Sequence, residues 1–275
     1  SQTQVVPRES TFTESDTVLD LRPRRRWMTG LGIVVSLLIV AFLAGWFFNT
    51  RHESMPELAE GEVIEIVLGE FENKTGDQVF DDALAEAFRV GIEQSRFIRA
   101  LPPRLGRETL QRMKREPDTE LTREVAAEIA VREDADRLVT GGISKFGDTF
   151  SVSAAVIDPG SDETVFSVGE TAQNENEILS VLDQVTRGVR SYLGESAANI
   201  QKDSAPLEKV TTENIQALEA YTRGVALMGA GEPEEAQSFL ERAVSLDPAF
   251  AMAHARLVTI FSNAGDRENA LAHLD

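Results

Sequence analysis

The longest apolar run of the chain covers residues 28–48, and no charged side chain interrupts it. With a rise of about 1.5 Å per residue, a helix of this length crosses the roughly 30 Å hydrocarbon core of a bilayer. Aromatic side chains stand at both ends, Trp27 on one side and Trp46, Phe47 and Phe48 on the other, as is typical of membrane interfaces. We therefore predict a transmembrane helix, since the alternative, a secretory signal peptide, has a shorter apolar region.

Positive charge is concentrated directly before this run. The basic residues there are Arg22, Arg24, Arg25 and Arg26. Because basic residues stay on the cytoplasmic side of a membrane, they predict a cytoplasmic amino terminus, reached through a polar linker at residues 1–27. The same rule predicts a single-pass protein of the bacterial inner membrane, in contact with the lipid bilayer through residues 28–48, whose carboxyl-terminal part is periplasmic.

The pattern between residues 61 and 196 predicts an α/β domain. Residues 63–68 are almost continuously apolar, as in a strand buried on both faces. The next segment, residues 82–94, carries its apolar residues on one stripe and predicts a helix. After a short second strand and two further helices the period changes to two, and a helix over residues 175–193 ends the domain. Three strands of an antiparallel meander are predicted at residues 137–145, 150–157 and 164–170.

Beyond a polar linker at residues 197–212, small residues recur at fixed spacing in a helical pattern. They lie where a tetratricopeptide repeat places its small residues and its terminal proline, and a shift of about 34 residues repeats part of the pattern. The residues assigned to repeat packing are Gly224, Gly231, Ala236, Ala243, Pro248, Gly265 and Ala270. The first helices of successive repeats form a concave binding surface, so Arg223 and His254 are candidate partner contacts.

The predicted fold class is an α/β domain with a mixed sheet and an antiparallel meander, followed by all-α tetratricopeptide repeats and preceded by one N-terminal transmembrane helix. The predicted segments are a cytoplasmic linker (1–27), the transmembrane helix (28–48), a linker (49–60), the α/β domain (61–196), a second linker (197–212) and the repeats (213–275), the second of them truncated. Because the sequence begins without methionine and stops inside a helical pattern, we expect it to belong to a longer protein.

Charge and composition exclude several classes of function. The chain has 27 basic and 46 acidic residues, a formal net charge of −19, and the excess of acid lies beyond residue 27, which argues against a nucleic acid partner for that part. The chain has no cysteine, and its three histidines have no partner at metal-ligand spacing, so we predict no catalytic, cofactor or metal site. Asp77, Asp81 and Asp82 beside Glu70 could hold a cation, although helix capping and turn formation are the commoner roles of such residues.

Two stretches resemble known families. Residues 68–77, Leu-Gly-Glu-Phe-Glu-Asn-Lys-Thr-Gly-Asp, together with residues 80–84, resemble the TolB amino-terminal-like domain. Residues 193–221 resemble the junction into tetratricopeptide repeats in bacterial membrane signalling proteins. Two families share this layout, the putative peptide modification system cyclase and the membrane serine/threonine kinase with repeats, and residues 88–96 and 107–113 are more similar to the cyclase group. A winged-helix membrane regulator is a third carrier of such modules.

The resemblance implies an interaction region without an enzyme of its own. We expect it to bind a protein or peptide through the repeats, outside the cytoplasm, while a nucleotide cyclase-like domain upstream produces a signal. The same region of a membrane kinase or of a winged-helix regulator is an alternative. A second alternative is a periplasmic assembly scaffold without signalling output. The sequence does not predict the oligomeric state.

Overall fold

The structure, a computed structural model, describes residues 55–274. Its centre is a five-stranded mixed sheet. The strands are β1 (Ile64–Lys74), β2 (Ile98–Ala100), β3 (Arg137–Phe146), β4 (Thr149–Asp158) and β5 (Glu163–Ala172). They lie in the order β2-β1-β3-β4-β5.

The strand β1 runs parallel to its neighbours β2 and β3, whereas the pairs β3–β4 and β4–β5 are antiparallel. Helices cover both faces of the parallel part, so Ile66 and Val67 of β1 are both buried although they point to opposite faces. In the meander the alternation of period two is visible in the burial of β4. The turn between β3 and β4 has Gly147 at a φ of 63°, a conformation that glycine adopts without strain. All three predicted meander strands are confirmed, each slightly longer than predicted.

Helices occupy most of the remaining chain. They are α1 (Asp81–Glu93), α2 (Pro103–Arg112), α3 (Arg123–Arg132), α4 (Ile178–Tyr192), α5 (Ala197–Asp203), α6 (Leu207–Val210), α7 (Ile215–Ala230), α8 (Pro233–Leu246), α9 (Ala251–Asn263) and α10 (Arg267–Ala272). One face of the sheet carries α1 and α4, and the opposite face carries α2 and α3.

The predicted stripe of α1 is confirmed, because Leu84, Phe88 and Ile92 are all buried against the sheet. The helix α4 is confirmed as well and ends where Gly194 takes a φ of 96°. The segment predicted as a linker at residues 197–212 contains α5 and α6 and contributes the fully buried Leu207 to the core.

The helix α7 packs on α1, and α8 and α9 pack on α7 and on each other in turn. One hydrophobic cluster runs from the sheet through α1 and α4 into these helices, and residues 55–274 belong to one compact unit. The predicted fold class is therefore wrong: the carboxyl-terminal helices extend the core of the α/β body and do not form a separate all-α repeat array.

The prediction of a transmembrane helix also needs correction. Within residues 55–274, every helix is too short or too polar to cross a bilayer. The span predicted at residues 28–48 lies outside the described residues, as do Arg22, Arg24, Arg25 and Arg26, on which the topology was based. For the residues that the structure describes, the predicted location as a single-pass inner-membrane protein is therefore wrong.

Candidate functional site

A cavity of about 790 Å³ lies where β1, α1 and α7 meet the connections on either side of α2. This volume is within the range of sites that bind ligands in proteins. Most of the side chains that line it are apolar. They include Leu68, Phe71, Ala85, Phe88, Leu101, Pro102, Pro103, Leu121, Val225 and Ala226.

One wall of the cavity is aromatic. The rings of Phe71 on β1 and Phe88 on α1 are tilted against each other with centroids 5.9 Å apart. The ring of Phe71 lies directly over Gly141 of β3, where a Cβ atom would stand only 2.5 Å from it. Gly141 is thus a position at which the close approach of a ring excludes a side chain.

The strand β1 is irregular at this wall. Its pairing with β3 shifts between Leu68 and Phe71, which identifies a β-bulge at Gly69 and Glu70. The Glu70 N–H donates a hydrogen bond of 2.9 Å to the carbonyl of Leu121, so the α2–α3 connection is attached to the bulge. Burial, and then the charge of Glu120, raise the pKa of the Glu70 carboxyl above its ordinary value. The two carboxylates lie where the connection meets the strand.

The charged residues of the cavity form two groups. Arg89 binds Glu86, with 2.6 Å between Nη2 and Oε1, and also Glu93. Burial by itself lowers the pKa of Arg89, but the hydrogen bonds and charges of these carboxylates outweigh it and raise that pKa above its ordinary value. The second group is Asp82, Arg107 and Asp118. These side chains are exposed at the opening of the cavity and have no ion pair within residues 55–274.

Four of the seven residues that the sequence assigned to repeat packing are buried among α7 to α10, namely Gly224, Ala236, Ala243 and Ala270. A Cβ atom on Gly224 would approach Leu240 to 2.7 Å, and Ala236 and Ala243 are fully buried. Gly231 ends α7. The other members of this set, Pro248, Gly265 and Ala270, lie at the turn before α9, at the turn after α9 and on α10. The buried members serve helix packing, whereas Gly231, Pro248 and Gly265 are exposed at turns, and the assignment of the set to a repeat stays a prediction.

The two candidate partner contacts are not brought together. Arg223 is half exposed and pairs with Glu219 at 3.1 Å. His254 lies on α9, where its Nδ1 is 2.9 Å from Nδ1 of His273 and its Nε2 is 3.1 Å from the carbonyl of Pro248. Burial, and then the charge of His254, lower the pKa of His273. Neither candidate lines the cavity, and their role as contacts stays a prediction.

Two of the acidic residues considered as a cation site, Asp77 and Asp81, serve the turn before α1, whereas Asp82 lies at the cavity opening and Glu70 at the bulge. Asp77 accepts a hydrogen bond from the Val79 N–H, and Asp81 accepts one of 2.7 Å from the side chain of Asn73. Within residues 55–274, no group of three or more histidine or acidic side chains is placed to hold a metal ion.

The sequence did not predict the cavity. Its walls come from separate stretches of the chain, and some of the lining residues, such as Leu68 and Val225, are more than a hundred residues apart in the sequence. The sequence features that could have indicated the cavity are local. They are the Pro102–Pro103 pair after β2, and the small or apolar residues, such as Ala226, on a half-exposed face of α7.

The similarity of this chain to known proteins is low. No protein-family model matches the chain, and no curated protein matches it significantly. Among solved structures, the LpoB C-terminal domain from Salmonella enterica is 16% identical, covers 42% of this chain and 88% of its own, and has a TM-score of 0.38. The lipoprotein GNA1162 from Neisseria meningitidis is 14% identical, with 48% and 98% coverage and a TM-score of 0.34.

A structure of TolB from Acinetobacter baumannii is 14% identical over 51% of this chain and 30% of its own, with a TM-score of 0.33. The predicted resemblance to TolB thus has a counterpart among the similar structures, whereas the cyclase family and the tetratricopeptide repeats have none among these three. Similarity at this level carries no inference about function, so the function must be argued from the cavity.

Proposed function

We propose that residues 55–274 form a non-catalytic binding module that holds an apolar segment of a protein partner in the cavity, and thereby serves as an assembly scaffold. The observation that carries this function is the cavity of about 790 Å³ beside β1, α1 and α7. Its apolar interior is surrounded by exposed charged groups at Asp82, Arg107 and Asp118. An apolar core with a polar rim is the usual anatomy of a protein–protein interface.

The composition of the cavity favours binding over catalysis. The side chains that line it include no histidine, cysteine, lysine or serine, so a serine–histidine or cysteine–histidine pair has no candidate there. The one interior guanidinium, Arg89, is already engaged by two carboxylates. No feature of this lining points to a nucleotide, and an apolar cavity with a polar rim fits a protein partner, so we favour the scaffold over a signalling protein with an upstream cyclase.

The test is to fill the cavity. A library of random twelve-residue peptides is selected on the full 275-residue chain, and the enriched peptides are measured by fluorescence polarisation. Ala226 lines the cavity and is exposed, so Ala226→Trp should occupy the cavity without disturbing the core and should weaken peptide binding at least tenfold. Ala255→Trp is the matched control, because Ala255 is exposed on α9 away from the cavity.

Thermal melts of both variants confirm that each is folded. The proposed function is wrong if no peptide is enriched over a selection without protein, or if the enriched peptides bind the Ala226→Trp variant as well as they bind the unchanged chain.

A further inference from the structure

Among residues 55–274, no strand pairs with the part of β1 that borders the cavity on the side of β2. The short strand β2 pairs only with Ile64, Glu65 and Ile66, whereas β1 continues to Lys74 with β3 on its other side. Beyond Ile66, the side of β1 that faces away from β3 therefore meets the cavity, which Leu68 lines.

The direction of the backbone groups follows from two hydrogen bonds. The Glu65 carbonyl accepts from the Asp136 N–H at 2.8 Å, on the β3 side. The Ile66 carbonyl accepts from the Leu101 N–H at 2.8 Å, on the β2 side. Because the backbone groups of a strand alternate between its two neighbours, the N–H and carbonyl of Leu68 point to the β2 side. The bulge begins only after Leu68 and leaves this alternation intact.

The chain that follows β2 does not complete the pairing. Pro102 and Pro103 have no N–H to donate, and α2 begins at Pro103, so the backbone turns away from β1. At the far end, the Glu70 N–H is already bound by the Leu121 carbonyl. The open edge thus consists of the backbone N–H and carbonyl of Leu68, which lie beside an apolar cavity. Backbone groups in such a place usually have a hydrogen-bond partner.

The charged groups at the opening of the cavity indicate whether the partner is cationic or anionic. Asp82 and Asp118 are unpaired carboxylates there, against a single unpaired guanidinium on Arg107, while Arg89 is neutralised from within. Glu70 and Glu120 add acid where the α2–α3 connection meets β1. The chain as a whole has a formal net charge of −19. A cationic partner is therefore favoured over an anionic one.

We propose that the occupant of the cavity is an extended peptide segment that pairs its backbone with Leu68 as a short added strand. An apolar side chain of this segment enters the cavity toward Phe71 and Phe88, and a neighbouring lysine or arginine lies beside the carboxylates of the opening. In such strand addition, main-chain hydrogen bonds supply affinity and pockets for alternate side chains supply specificity. This inference rests on the proposed function and adds to it the conformation and charge of the partner.

The experiment uses the peptides selected on the full chain. Each backbone amide of a bound peptide is methylated in turn. An added strand predicts at least a tenfold loss of affinity at one amide and unchanged affinity at the amides on either side of it, because only alternate amides face β1. In the protein, hydrogen exchange at the Leu68 amide should slow on binding, whereas exchange at Val67, whose amide faces β3, should not change.

The charge is tested separately. Asp82→Asn and Asp118→Asn should each weaken binding of peptides that carry lysine or arginine, by about threefold to tenfold at low salt and less at high salt. Asp148→Asn, at the exposed turn between β3 and β4, is the control and should have no effect. Replacing the basic residue of the peptide by glutamate should weaken binding to the unchanged chain.

The possible results distinguish the inference of an added strand from the proposed function of the cavity. If binding is lost in the Ala226→Trp variant but no amide methylation weakens it, the added strand is wrong and the proposed function of the cavity still holds. The same conclusion follows if the sensitive peptide positions are three and four residues apart, as expected for a bound helix. Binding that is indifferent to Ala226→Trp overturns both. Enriched peptides that are uniformly acidic overturn the charge assignment.

Discussion

The two faces of the sheet are covered by helical layers of very different thickness. On one face, α1 and α4 bury a large hydrophobic cluster that continues through α7 to α10, and we call these helices the thick layer. On the other face, α2 and α3 form the thin layer, over a small cluster that includes Val67, Leu110 and Ile129. Both faces need cover because the parallel strands are apolar on both sides.

The cavity lies where the thin layer stops. The connection between α2 and α3 is attached to β1 at the bulge, through Glu70 and Leu121, and the space between this connection, α1 and α7 is left open. The comparison teaches that the thick layer contains most of the buried core, whereas the site lies at the boundary where both layers line one cavity. Changes in the thick layer should therefore cost more stability than comparable changes in the thin layer.

The largest effect is expected for a buried ion pair of the thick layer. Arg190 on α4 binds Glu195 through two contacts of 2.8 and 2.9 Å, with both side chains almost fully buried, and also donates to the carbonyl of Gly91 on α1. Glu195→Ala leaves a buried, unpaired guanidinium and should cost about 3–5 kcal/mol in the free energy of unfolding. Urea denaturation measures it.

The control for this pair is Glu219→Ala, which removes the partner of the half-exposed Arg223 and should cost about 1 kcal/mol or less. Equal losses in the two variants would show that burial of the Arg190–Glu195 pair does not set its contribution.

Truncation of one leucine in each layer tests the comparison directly. Leu182 on α4 is fully buried inside the thick layer, whereas Leu110 on α2 is buried but lines the cavity. Leucine-to-alanine changes cost about 2–5 kcal/mol, depending on how well the surroundings collapse into the space. We expect Leu182→Ala near the upper end and Leu110→Ala near the lower end, since Leu110 borders space that is already open. A larger loss for Leu110→Ala in urea denaturation contradicts the comparison.

Two glycines of α7 are expected to respond in opposite directions. A Cβ atom on Gly224 would meet Leu240 at 2.7 Å, so Gly224→Ala should cost about 1–3 kcal/mol through overpacking. At Gly229 the same atom would meet nothing within 4 Å, so Gly229→Ala should stabilise by about 0.5–1 kcal/mol through helix propensity. Thermal melts of the two variants should shift in opposite senses, and a shift in the same sense would mean that the α7–α8 contact is looser than described.

The smallest effect concerns Glu70, where the thin layer is attached to β1. Its pKa is raised in the folded state by burial and by Glu120, so the folded chain binds the proton more tightly than the unfolded chain does. The stability linked to this proton is therefore lost as the pH rises from the ordinary glutamate range through the raised value. Glu70→Gln should melt at a higher temperature than the unchanged chain at pH 7, with a smaller difference at pH 4.

A neighbouring variant checks the cause. Glu120→Gln removes one of the charges that raise the pKa of Glu70 and should reproduce part of the gain at pH 7. A gain that is the same at pH 4 and pH 7 would contradict the assignment to a proton.

The elements of the sheet were predictable because their signals are local. Alternation of period two and turn-forming residues place β3, β4 and β5 without reference to any other part of the chain. The same holds for the apolar stripe of α1, whose residues Leu84, Phe88 and Ile92 all face the core.

The carboxyl-terminal helices show where local signals end. Small residues such as Gly224 and Ala236 correctly indicate that two helices approach closely, since Leu240 fills the space beside Gly224. The spacing of small residues says how a helix pair packs together, but it carries no information on what the pair packs against. That α7 lies on α1, and so joins one core, is a tertiary contact.

The sequence by itself thus determined the strands and most of the helices, though not α5 and α6, and it determined that the chain is strongly acidic, because these properties depend on neighbours along the chain. Only the tertiary structure decided the site. It combined the backbone of Leu68, the rings of Phe71 and Phe88 and the side chain of Val225 into one cavity. No periodicity relates residues so far apart, and an open strand edge becomes visible only when the lengths of two paired strands, β1 and β2, are compared.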